Sequence, residues 1–551
     1  MPENFQPGCD YSGRDFRGAD LSDLDLRRVD LSNANLQGAT LRRTNLEQAV
    51  LVGANLSHAD LCEIVLRRAN LRNANLNEAN LQEAELSGAS LANAQLKRAN
   101  LQNAQLKGTS FWQADLTSAI LVRANLRGAK LEKCSLFGAD LRQAMLIRAN
   151  LDEANLEKAL LESADLRKAV LAKAILDRAN IKQVRAQNAD FEGASLKNAD
   201  LDSTDLGGSY LANSDLTKAN LSYTRLRGAF LRDARLAEAN LQWAELQGAY
   251  LNGANFSGAN LENAILSRSR ARKANFTDAN LRGADLRGAY LSLANFNKAN
   301  LQTAKLGGAD LTGSNFCYTN LKRTNLSLAN LKAVNFNHAD LTEAELNGAD
   351  LSDASMLGVR LINAKLAGAK LESANLERAD LTEVCLIRAN LGDANLILAK
   401  LEGAELNRTY LGGTNLRDAI LIAADLREAH LLDTSLIRAD LTDANLNRTY
   451  MSYVDLSQAT LNSADFSSSV FVNVTWMDVD AERTKFSQNI GLSHQQYEYL
   501  RSRGAEFSCD IDLNDNRLDL VSCAENDAQE RFLDFKNALS RFDELVTQVE
   551  E

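Results

Sequence analysis

A large apolar residue stands at every fifth position from Tyr11 to Phe486, through Phe16, Leu21, Leu26 and Leu31, and the phase never slips. About 96 consecutive five-residue units follow, and only Ala186, Ala271 and Ala481 put a small residue at the centre. Two positions before the centre lies a small residue, mostly Ala, as at Ala19, Ala34 and Ala54. One position before lies Asn or Asp, as at Asp20, Asn35 and Asn55. A period of five matches neither the helix period of 3.6 nor the strand period of 2. It fits a coil in which each unit gives one short extended segment and one corner. Alternate residues of an extended segment face the same way, so the centre and the residue two before it share the inner face. The predicted interior is Leu plus Ala, and the predicted exterior is the polar remainder.

Length alone would suggest several domains, but the chain of 551 residues has only 2 prolines, Pro2 and Pro7. Coils that hydrogen-bond to their neighbours explain the deficit, because proline cannot donate. Aromatic residues are scarce at 6%, so the core is built from smaller side chains. No apolar run is long enough for a membrane-spanning helix, and the start MPENFQPGCDYSG lacks the pattern of a secretory signal. The seven cysteines (Cys9, Cys62, Cys134, Cys317, Cys385, Cys509, Cys523) are widely spaced and form no CxxC pair. They read as reduced thiols of a cytoplasmic protein, without a disulfide framework or zinc site. His58, His338, His430 and His494 are equally scattered, and no HExxH, P-loop or GxGxxG occurs.

The pattern A(D/N)LXX, seen in GANLSHADL (53–61) and GADLRGAYL (283–291), resembles that of the pentapeptide-repeat family over about 480 residues. The resemblance implies an all-β solenoid, a right-handed quadrilateral parallel β-helix with four units per 20-residue turn. About 24 coils at ~4.8 Å each would make a rod roughly 115 Å long. Its filled interior leaves no concave pocket, so no catalytic, cofactor or metal site is expected, and function must lie on the outer faces or ends.

The expected organisation is an N-terminal cap over 1–10, coils over 11–490, a capping helix over 491–507, a loop over 508–523 and an amphipathic helix over 524–551. Ser493 reads as the N-cap of the capping helix and Gly504 as its stop, and such a tail resembles that of cyanobacterial family members. The DIDLNDN stretch (510–516) is a poor calcium loop, with Asp515 and Val521 where Gly and the bidentate Glu belong. In the last segment Ala528, Phe532, Phe535, Leu539, Phe542, Val546 and Val549 form a heptad seam. That seam suits a cap docked on the coils, an oligomerisation helix giving a homodimer, or a partner-binding helix. Family members that inhibit DNA gyrase dimerise through their C-terminal ends, which favours the second role by resemblance.

The formal net charge of −11 belongs mainly to the tail, since residues 487–551 carry 6 basic and 14 acidic residues. The face through Leu26, Leu46 and Leu66 sums to about +9, with Arg27, Arg67 and Arg167. The neighbouring face through Leu21, Leu41 and Leu61 sums to about −8, with Asp20, Asp23 and Asp200. The resemblance raises a second function, since some members mimic B-form DNA to regulate type II topoisomerases. Mimicry needs about one charge per 1.7 Å of axis, far above what these coils carry.

Two local departures stand out as site candidates. The position before the centre turns aromatic at Tyr210, Phe230, Tyr250, Tyr290, Tyr410 and Tyr450, with His430 between the last two. All lie 20 or a multiple of 20 apart, so they should form an outer column. Rings in such a column can simply stack on one another or dock a protein partner, and those at 410–450 can lie under the terminal helix. The second departure is SRSRARKANF (267–276), where Ala271 replaces the central Leu among Arg268, Arg270, Arg272 and Lys273. It reads either as a tolerated weak coil or as a site for an anion or acidic partner. The patch is short and the protein acidic, which argues against nucleic acid. The predicted function is a non-enzymatic scaffold whose flat faces bind a protein of unknown identity.

Overall fold

The computed structural model describes residues 5–508. The chain divides into two compact units, Met1–Ala309 and Asp310–Glu551, and both repeat one local design. Parallel bridges join each residue before a centre to the one 20 positions on, from Asp10↔Asp30 to Asp285↔Lys305 in the first unit. They run from Asp310↔Asn330 to Val470↔Ile490 in the second. Each unit is therefore a parallel β-helix with 20-residue coils, and each coil holds four of the five-residue repeats.

The unit Ala34–Asn35–Leu36–Gln37–Gly38 shows why the repeat has this composition, because all five backbone N–H groups find acceptors. Ala34 donates to the Leu31 carbonyl at 3.0 Å and closes a turn. Asn35 donates one coil back, to Arg14 at 2.9 Å; Leu36 and Gly38 donate one coil on, to Asn55 at 2.7 Å and Ser57 at 2.9 Å. The Gln37 N–H is left over, and the Asn35 side-chain Oδ1 accepts it at 3.3 Å. Asn or Asp before the centre thus completes the accounting that backbone alone cannot. Asn side chains also bond along the column, as Asn55 to Asn35 at 3.2 Å and Asn75 to Asn55 at 3.1 Å.

The second residue after each centre has positive φ, 56° at Asn33 and 63° at Gly38. With the N–H of the following Ala bonded back three residues, this is a type II turn, whose third position demands φ > 0. Gly and Asn recur there for that reason, and charged residues accept the strain elsewhere.

The centres and the small residues behind them form the core. Leu36, Leu41, Ala34 and Ala39 are fully buried, as are Phe256, Phe276 and Phe296, which stack at 4.9 and 4.8 Å. At several positions where Thr replaces Ala, its buried hydroxyl donates to a carbonyl one coil back, as Thr44 to Leu21 at 2.6 Å and Thr204 to Ile181 at 2.6 Å. Ser209 and Ser269 differ, with a buried Oγ that has no hydrogen-bond partner among the described residues.

In the second unit the ladder lengthens into strands β1 (His430–Leu432), β2 (Tyr450–Ser452) and β3 (Val470–Val472), paired in parallel in that order. Strand β4 (Lys485–Phe486) follows, and then helix α1 (His494–Ser502). Ser493 caps α1 in a reciprocal capping box with Gln496, and the Gln496 side chain also donates to Val474 O at 3.1 Å. The helix ends before Gly504, which adopts φ 92°, and Glu506–Phe507 is not helical but strand β5, paired in parallel with β4. The fully buried Leu500 anchors α1. Phe507 stacks on Phe486 at 5.1 Å, so the last coil is covered by its own continuation. At the other end Phe5 packs against Tyr11 at 5.0 Å and Phe16 at 5.5 Å. The 510–516 stretch and the seam of Phe532, Phe535, Leu539, Phe542, Val546 and Val549 lie outside the described residues, with Cys509 and Cys523.

Candidate docking surface

In the first unit the aromatic column is a stack. Tyr210 and Phe230 have ring centroids 5.0 Å apart and planes 6° from parallel; Phe230 and Tyr250 are 4.7 Å apart at 10°. The one-coil spacing of about 4.8 Å matches ring-stacking distance, so side chains in register stack without bending. Arg270 then sits with its guanidinium carbon 5.1 Å from the centroid of the Tyr250 ring, within cation–π range. Tyr290, on the next coil, is 56% exposed, and Tyr210 at the far end is 50% exposed.

Each aromatic replaces an Asn or Asp that would have accepted the N–H two residues on. Among the described residues no side chain accepts from Ala212 or Arg232 in this way, whereas Asn252 Oδ1 takes the Arg272 N–H at 3.0 Å from one coil back. The column thus gives up turn hydrogen bonds of about 1 kcal/mol each for ring contacts of similar size. The residues two before the column are Gly208, Gly228, Gly248 and Gly288, so little side chain covers it on that side.

The basic residues Arg268, Arg270, Arg272 and Lys273 are all exposed, around the fully buried Ser269 and Ala271. In the second unit the column is arranged differently. Tyr410 lies over the backbone, where a Cβ on Gly412 would meet its hydroxyl at 2.2 Å and one on Gly392 its ring at 3.2 Å. Burial, and then the charge of Asp393, pushes its phenol up. His430 and Tyr450 are tilted at 50° with centroids 6.5 Å apart. Val470 and Ile490 extend this column, and Ile490 is 42% exposed.

Other exposed aromatics keep the same spacing at another place in the repeat. Tyr223 and Trp243 are 58% and 51% exposed on successive coils, and Tyr318 stacks on His338 at 5.2 Å. They occupy the second position after the centre, where a 20-residue comparison would have revealed them.

Many surface charges are paired, some within one repeat and more between neighbouring coils, as Arg43 with Asp23 at 2.8 Å and Arg323 with Glu343 at 2.7 Å. In the DLR units, Asp165 and Arg167 meet at 2.7 Å and Asp285 and Arg287 at 2.6 Å. Burial alone would raise the Asp165 carboxyl, but the Arg167 hydrogen bonds and the Arg185 charge outweigh it and hold it below the usual range. Burial pushes up the thiols of Cys62, Cys134, Cys317 and Cys385. No group of His, Cys, Asp and Glu that could hold a metal occurs among the described residues. None of their helices is long and apolar enough to cross a membrane.

The sequence profile described as Pentapeptide repeats (8 copies) matches in successive stretches from 7–33 through 254–292 to 439–475. The chain belongs to the pentapeptide-repeat family. Among solved members, HetL of the cyanobacterium Nostoc sp. strain PCC 7120, involved in heterocyst differentiation regulation, is 28% identical. The match covers 44% of this chain and 88% of HetL, with a TM-score of 0.21. The pentapeptide repeat protein Rfr23 of the cyanobacterium Cyanothece 51142 is 36% identical over 18% of this chain and 85% of its own, with a TM-score of 0.16. QnrB1, a plasmid-mediated fluoroquinolone resistance protein, is 17% identical over 35% and 95%, with a TM-score of 0.21. A comparison with curated proteins finds no match. Pentapeptide repeats thus account for the coils, and the aromatic column and basic coil are local departures from them.

Proposed function

We propose that the protein is a non-enzymatic cytoplasmic scaffold whose coils form a right-handed quadrilateral β-helix and dock a protein partner on an outer face. The observation that carries this reading is the Tyr210–Phe230–Tyr250 stack. It places large rings where the repeat favours Asn or Asp, and Tyr210 at one end is half exposed. Aromatic side chains bring the most contact energy to protein interfaces. Filled coils offer no pocket with convergent polar groups, which speaks against catalysis.

The test is affinity capture with the intact protein and with a Tyr210→Asn, Tyr250→Asn variant that restores the repeat consensus. The reading expects a partner lost from the variant while its thermal unfolding is unchanged; an identical set of partners would contradict it. The alternative, a DNA-mimic regulator of a type II topoisomerase, has weaker support because many acidic side chains are paired, as Asp25–Arg27 at 2.7 Å and Asp425–Arg427 at 2.6 Å. Inhibition of gyrase supercoiling would favour it. The seam over 524–551 is assigned to self-association in this proposal, and light scattering of a chain ending at Gly504 tests it.

A further inference from the structure

We infer that the coil carrying Arg268, Arg270, Arg272 and Lys273 anchors a carboxylate-rich peptide segment of the docked partner. The inference rests on the docking reading and adds the chemistry of what docks. Four cations stand on one coil within six residues. The coils on either side place Gly248 and Gly288, Tyr250 and Tyr290, Asn252 and Ser292, and Gly253 and Leu293 at the matching positions. None of these is a carboxylate, and none of the four cations makes an ion pair among the described residues. Nearby arginines are neutralised instead, Arg227 by Glu245 at 2.8 Å, Arg232 by Asp233 at 3.1 Å and Arg287 by Asp285 at 2.6 Å. The patch is a local excess of positive charge, four cations on one coil without an ion pair among the described residues.

Its surroundings favour carboxylates over nucleic acid. A nucleic-acid strand is held by a charged track along its backbone and by bases stacked on open ring faces. Here the charge is confined to one coil. The faces of Phe230 and Tyr250 are also taken, because Tyr210, Phe230 and Tyr250 stack on one another and Arg270 covers Tyr250, which leaves Tyr290 as the one exposed ring beside the patch among the described residues. What a partner meets is ring edges, which carry the positive part of the aromatic quadrupole, and tyrosine hydroxyls. Both attract carboxylate oxygens. Arg270, braced on Tyr250, keeps a planar fork of donors that pairs with a carboxylate in two-point fashion.

The experiment measures fluorescence anisotropy of labelled hexaglutamate and, separately, of labelled dodecathymidylate with the full chain at about 150 mM salt. Variants are Arg268→Gln with Arg270→Gln, Arg272→Gln and Lys273→Gln, and a distant control, Arg67→Gln with Arg68→Gln and Arg72→Gln. The peptide should bind the parent chain, and the patch variant should bind about tenfold more weakly or not at all, while the control is unchanged. Should the fourfold variant fail to fold, Arg268→Gln with Lys273→Gln at two exposed positions is expected to weaken binding about threefold. No binding by the parent, equal loss in the control, or tighter binding of the oligonucleotide that disappears with the patch would overturn the inference. Retained capture of the partner by the patch variant refutes the anchor alone, and the docking column is judged by its own variant.

Discussion

Phe230 lies between Tyr210 and Tyr250 with its ring nearly parallel to both, 5.0 Å from one and 4.7 Å from the other. Both of its faces are covered by a ring, so its removal costs two contacts of about 0.5–1.5 kcal/mol each. Phe230→Asn should recover about 1 kcal/mol through a turn bond to the Arg232 N–H. The expected net loss is about 0–2 kcal/mol, read as faster amide exchange in the coils at 210–250 without global unfolding.

Proline tolerance should depend on register within the repeat. The Asn35 N–H is a ladder donor, so Asn35→Pro should break the coil and raise local exchange sharply. The Gln37 N–H serves only the Asn35 side chain, and Gln37 holds the second place of a type II turn, where proline is favoured. Gln37→Pro should therefore fold normally by circular dichroism.

Ser269 keeps a buried hydroxyl without a partner among the described residues. Ser269→Ala restores the commoner repeat residue and removes an unsatisfied polar group. It should stabilise the protein by about 1 kcal/mol, measured as a shift of the urea midpoint.

Acid should weaken the coils through the DLR pairs. Asp140, Asp165, Asp285 and Asp425 all have carboxyls held below their ordinary value despite burial that raises them. A depressed folded-state value means the unfolded chain binds protons first as pH falls. The stabilisation is complete above about pH 5 and is lost progressively below about pH 4. Urea midpoints at pH 7, 4 and 3 should fall in that order, and Asp165→Asn should flatten the trend.

Leu500 is the buried anchor of α1. Leu500→Ala should cost about 2–5 kcal/mol locally and release β5 from β4. The exposed edge then favours association, visible as a rise in light scattering.

Much of this was legible because one residue type serves one position. Leu at the centre and Ala two before it revealed the inner face directly, and the family pattern supplied the 20-residue coil. The role of Asn35 was not legible, because composition shows only that a polar residue recurs there; the leftover N–H of Gln37 explains it. The ladder accounts for proline scarcity at only three positions in five, because the Ala34 N–H closes a turn and the Gln37 N–H bonds a side chain. The column at 210–250 could be placed from spacing, but ring geometry could not. Tyr410 has the same repeat position as Tyr210 and nevertheless lies over Gly392 and Gly412, because glycines there leave the backbone open. At the C-terminal end the helical pattern over 491–507 hid β5, since two residues carry too little periodicity to mark a strand.

The docking column is tested most directly by a photo-crosslinking residue in place of Phe230, compared with the same residue in place of Asn220 on the column ten residues away. Irradiation in an extract of the native host should give a discrete adduct from position 230 and none from 220. No adduct from 230, or the same adducts from both, would contradict the account.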